Sequence, residues 1–152
     1  MEPLWSNKCL LHWEHAPRKL LLRFCMHQVV LTADIVKSFL MVLMSEKFWD
    51  VLQFLWVAKN QPEIHVMRFA QFVFGVFSSP FLLNATVRHH LREYFSSHSE
   101  FVKSLSQSIY VDDTVSGAEN EDYPYQLHAE SKDMLRSGGF TLQKFITNST
   151  HL

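Results

Sequence analysis

The residues best placed to do chemistry are Asp112 and Asp113, set in the run Ser108-Ile109-Tyr110-Val111-Asp112-Asp113-Thr114-Val115-Ser116-Gly117. β-Favouring residues stand on both sides of the acids, and Asp tolerates tight-turn backbone angles, so a short hairpin is expected with the acids at its tip. Adjacent anions held on a rigid ribbon repel, and a cation against them would relieve the repulsion. Acids also fill surface turns simply as solvated groups, so the pair gains meaning only from what else reaches it.

A third acid, Asp34, closes the β-branched run Gln28 to Ala33. The stronger elements read in order as a strand (28–34), a helix (80–95), strands at 107–111 and 114–118, a helix (123–137) and a strand (140–146). A hairpin, Val51 to Val57 with Ile64 to Phe69, is inserted after the first strand. This is an α+β chain with the βαββαβ order of a ferredoxin-like fold. A right-handed crossover then makes the first two strands parallel, and their C-terminal ends share one edge of the sheet. Asp34 is therefore expected to face Asp112 and Asp113. Three such carboxylates offer hard oxygen ligands to two divalent ions, about 3.5–4 Å apart in sites of this kind, which is phosphoryl-transfer chemistry. The plain alternative is an α+β domain with acids along a solvated edge.

The positioning elements carry recognisable signals. Ser79 followed by Pro80 is a helix entrance, and Leu83, Val87, His90 or Leu91, and Tyr94 recur at helical spacing. The polar stretch Ser96 to Ser108 reads as a connector. Asp122 and Pro124 open the second helix; Leu127, Met134 and Leu135 mark its buried side, and Gly138-Gly139 ends it. Lys19 to His27 reads as a short buried helix. Residues 1–18 show no period and read as an irregular lead-in, leaving 19–152 as one domain.

Composition narrows the function further. The chain has 152 residues, 47% hydrophobic, with thirteen Phe and four Trp, enough for one aromatic core. Its formal net charge of −1 gives no polybasic signature, which argues against a stand-alone nucleic-acid binder. Cys9 and Cys25 lack zinc-type spacing, and His12-Trp13-Glu14-His15 has no Pro-Cys-x-x-Cys after it, so no zinc site is expected. The apolar run Leu20 to Leu31 is broken by Arg23 and His27 and is too short to span a bilayer. An intracellular protein with free thiols is expected, cytoplasmic or nuclear, with the sequons at Asn84 and Asn148 coincidental.

Four blocks in order resemble a reverse transcriptase palm: Ala33-Asp34-Ile35-Val36-Lys37-Ser38-Phe39-Leu40, Phe74-Gly75-Val76-Phe77-Ser78-Ser79-Pro80-Phe81, Tyr110-Val111-Asp112-Asp113, and Gly138-Gly139-Phe140-Thr141-Leu142-Gln143-Lys144. Ser79 to Thr86 and Arg88 to Leu91 are most similar to BEL/Pao-type LTR retrotransposons. The resemblance runs from about Leu20 onward. It implies a polymerase palm with the inserted hairpin and partial fingers, catalysing RNA-directed DNA synthesis from deoxynucleoside triphosphates on a primed RNA or DNA template. It implies two Mg²⁺ ions, with Mn²⁺ as a substitute, held by Asp34, Asp112, Asp113 and the Ile35 carbonyl. Ile35, Ser38, Phe39, Phe74 and Gly75 would border the nucleotide, with Phe39 at the steric gate; Tyr110 and Val111 would lie at the primer end. Lys144 resembles a basic residue proposed to protonate pyrophosphate, although the residues alone favour an ordinary exposed strand lysine.

The resemblance implies that most of the fingers, the thumb and the RNase H region of such a polyprotein are partners missing from this chain. The lead-in is expected to be a remnant of fingers or an upstream region. Gln71 and Gln143 stand where related sequences often carry a basic residue. Two other readings are a catalytically inactive transposon-derived domain and a two-metal nuclease.

Overall fold

A computed structural model of the chain describes residues 18–22, 24–60, 62–119 and 122–149. Residues 1–17 of the lead-in, with the His12-to-His15 motif and Cys9, lie outside the described residues. The chain is mixed α+β, with an antiparallel four-stranded sheet and a separate two-stranded one. The large sheet comprises β1 (Val29–Ile35), β4 (Ile109–Tyr110), β5 (Asp113–Ala118) and β6 (Leu142–Thr147), in the order β4-β5-β1-β6. β2 (Gln53–Val57) and β3 (Ile64–Arg68) form the hairpin. β1 and β4 are both antiparallel to β5, and hence parallel to one another without being neighbours. Their C-terminal ends fall at the same edge, as expected.

Three helices cover one face: α1 (Ser79–Arg92), α2 (Ser99–Ser108) and α3 (Asp122–Ser137). Leu83, Val87 and Leu91 of α1 are fully buried at a spacing of four, which puts them on one stripe. That stripe meets Ala33 and Ile35 of β1, Val102 and Leu105 of α2, and Met134 and Leu135 of α3 in a single core. Strand alternation sends Thr32 and Asp34 to the opposite face, away from the helices. The sequence pattern thus separates the apolar work of β1 from its acid.

Several local expectations shift. The connector 96–108 contains the helix α2, because Val102 and Leu105 are drawn into the core through an otherwise polar run. The segment before β2 is a 3-10 helix, Glu46–Val51, so the strand begins at Gln53. α1 begins at Ser79 itself, after Ser78, and no side chain caps it. The helical turns at residues 18–22 and 24–25 bury Leu20 but leave Leu21 and Leu22 exposed, so this segment is not a buried helix.

α3 ends as the glycines require. Gly139 takes φ 84°, its N–H donates to the Arg136 carbonyl, and the Phe140 N–H donates to Leu135. This is the Schellman pattern, with glycine in the left-handed position that a Cβ would disfavour. Asn84 is buried, its Nδ2 without a hydrogen-bond partner, while Asn148 accepts from Val30 N–H and donates to the Gln28 carbonyl. Among the described residues, no helix is long and apolar enough to cross a membrane.

Candidate functional site: an acidic strand tip closed by a lysine

β4 and β5 are joined by a two-residue turn, Val111-Asp112, with Tyr110 opposite Asp113. The acids therefore do not share the tip: Asp112 is in the turn and Asp113 is the first residue of β5. Val111 has φ 57°. A β-branched residue in the left-handed region costs about 1–2 kcal/mol, and strain of that kind concentrates at functional positions.

Asp34 arrives where the topology sends it. It pairs in register with Asp113 across β1 and β5, so the two side chains share a face. The Asp112 carbonyl accepts the Ile35 N–H at 2.8 Å, tying the turn to the end of β1. All three carboxylates sit at one corner of the sheet. Partial burial, and then the charges of Asp112 and Asp34, push the Asp113 carboxyl above its ordinary value; Lys144 opposes this.

Lys144 is the residue the sequence undervalues. β6 slips register against β1 between Thr32 and Asp34: Ile146 faces Thr32 while Gln143 faces Asp34, leaving two residues opposite one. This is a β-bulge, and Lys144 within it has φ 56°. The irregularity brings Nζ to 2.8 Å from Asp34 Oδ2. The hydrogen bond and charge of Asp34, with smaller help from Asp112 and Asp113, raise the lysine above its usual range, so it stays protonated. No sequence signal marks a lysine in a bulge, since the register slip is a tertiary property. Among the described residues, the non-glycine positions with positive φ are Lys37, Val111 and Lys144. One follows Asp34 by three positions, one precedes Asp112, and one pairs with Asp34.

The expected nucleotide-side residues divide. Ile35, Ser38 and Phe39 are buried, and Phe39 belongs to the core cluster. Its ring lies edge-on to Phe74 at a centroid distance of 4.4 Å. Phe74 is 72% exposed, so it is the member of the pair that faces solvent. Gly75 beside it has φ 86°. Tyr110 and Val111 are half-buried, with Val111 packed against the core.

The site suits hard cations in its donor chemistry, since each acid side chain offers oxygen alone and their mutual repulsion favours added positive charge. Among the described residues, however, no three carboxylate, His or Cys groups stand ready as a metal cage. The Lys144 ammonium holds one oxygen of Asp34, and a divalent ion would have to share or displace that contact. No protein-family model matches the chain, and no curated protein matches it either.

Proposed function

We propose that the chain is the palm-type core of an RNA-directed DNA polymerase, similar to those of BEL/Pao-type retrotransposons. The observation that carries this reading is the in-register pairing of Asp34 with Asp113 beside the strained turn holding Asp112. The strand order β4-β5-β1-β6, with helices on one face, is that of a split βαβ sheet and supports the palm assignment. The reaction would join a primer 3′-hydroxyl to the α-phosphate of a deoxynucleoside triphosphate and release pyrophosphate.

In this reading Asp34, Asp112 and Asp113 hold two Mg²⁺ ions. When bound, they supply Lewis-acid activation of the hydroxyl and charge stabilisation of the departing oxygen. Lys144 keeps its proton at Nζ beside the acids, placed to deliver it to pyrophosphate. The Phe39–Phe74 pair borders the nucleotide: Phe74 offers the exposed ring, and Phe39 fixes it from the core.

The test is primer extension on an RNA template with Mg²⁺ or Mn²⁺, alongside a nuclease assay on the same substrate. Weak metal binding and little or no extension are expected of this chain alone, with any extension abolished by Asp112→Asn. Cleavage without nucleotides, lost in the same variant, would assign a nuclease. Extension that survives Asp112→Asn would remove the acids from the mechanism.

One observation favours an inactive, interaction-type domain as the second reading. Every residue of β2 and β3 is exposed, including Leu55, Trp56, Val57, Ile64 and Val66. If that reading holds, the protein self-associates and metal binding is absent.

A further inference from the structure

α1 and α2 enclose a groove of about 380 Å³ that has no part in the acidic corner. Arg88 and Arg92 line it from α1 and Lys103 and Ser106 from α2, with Phe95 between the helices. No carboxylate lines it. Among the described residues the ion pairs are Arg68 with Asp50, His90 with Glu93, and Lys144 with Asp34, so none engages the three cations of the groove.

Arg92 has a local reason to be cationic, since it stands in the last turn of α1 near the helix carbonyls. Arg88 does not. Its Nε–H is buried without an acceptor. Burial, and then the neighbouring charge of Arg92, lower its pKa. A buried donor without a partner is destabilising, and an incoming anion is the group that would satisfy it. A guanidinium fork matches the paired oxygens of a phosphate. The groove is larger than a bare anion needs and lies at the lower end of small-molecule sites, which run from about 300 to 1,000 Å³. Phe95, half exposed, offers a ring face to a planar base.

We propose that this groove binds a mononucleotide, its phosphate held by Arg88 and Arg92 with Lys103 in support, and its base against Phe95. The site is separate from the acidic corner and does not depend on the polymerase reading. The experiment is calorimetric titration of the full chain with AMP, adenosine and inorganic phosphate, in EDTA so that metal-dependent nucleotide binding is suppressed. AMP is expected to bind at least tenfold more tightly than adenosine and more tightly than phosphate. Arg92→Gln, an exposed change that leaves the core alone, should weaken AMP at least tenfold, and Arg88→Met likewise. Asp112→Asn should leave it unchanged. Equal affinity for AMP and adenosine, indifference to Arg92→Gln, or loss of binding in Asp112→Asn would each overturn the proposal.

Discussion

Two residues of the acidic corner, Asp113 and Lys144, depart from ordinary behaviour. Asp113 retains its proton to higher pH in the folded chain than in the unfolded one, because partial desolvation of this largely exposed side chain, then Asp112 and Asp34, oppose its charge more than Lys144 favours it. Its contribution therefore favours folding at low pH and is lost as pH rises from about 4, the ordinary aspartate value, through the raised one. Asp113→Asn should accordingly stabilise the protein more at pH 7 than at pH 4, as read from urea midpoints. A difference that does not change with pH would show that the acids do not interact. Lys144→Met removes the cation competing for Asp34, and Mn²⁺ should then bind several-fold more tightly in a titration followed by electron paramagnetic resonance. Weaker or unchanged Mn²⁺ affinity would mean that the lysine does not compete with metal. The acids were legible from residue type and order alone. The lysine's pairing with Asp34 was not, because it depends on the bulge in β6 that arises only where that strand pairs with β1.

Elements were legible where periodicity was strong and hidden where burial was sparse. α1 and α3 declare themselves through apolar stripes, and the glycine stop of α3 falls where expected. α2 buries little beyond Val102 and Leu105 in a run of serines and charges, so its pattern resembles a loop. The end of α3 supplies a direct test of element packing. A Cβ on Gly138 would lie 2.7 Å from Cδ2 of His90. That ring cannot swing aside without loss, since its Nε2–H donates to the Met134 carbonyl at 2.7 Å and joins α1 to α3. Gly138→Ala should destabilise by about 1–3 kcal/mol in chemical denaturation, with far-ultraviolet circular dichroism retained. A neutral effect would show that the contact between the helices is loose.

At the scale of the molecule, two regions behave differently. The helix-covered sheet has a continuous core, whereas the β2–β3 hairpin exposes apolar side chains at both faces. Exposed patches of this kind drive association. The purified chain should sediment as a concentration-dependent mixture, and Leu55→Lys with Val66→Lys should shift it toward monomer without moving the melting temperature of the core. Monomeric behaviour of the unaltered chain at high concentration would indicate that the hairpin folds back onto it. An apolar hairpin is evident from sequence, but its failure to join the main sheet is not, since strand patterning does not name a strand's partners.

The central strand β1 is made early in synthesis and finds both its partners late. Ala33 and Thr114, bridged through the Thr114 hydroxyl, are 81 positions apart, and β6 follows further still. On the ribosome, β1 emerges as an unpaired apolar ribbon and must wait for the C-terminal third before any sheet can close around it. The interval invites capture by chaperones or by another nascent copy, and folding should be slow for a chain this small. Ribosome-stalled chains ending before residue 113 should leave β1 open to protease, with protection appearing only after β5 and β6 have cleared the exit tunnel.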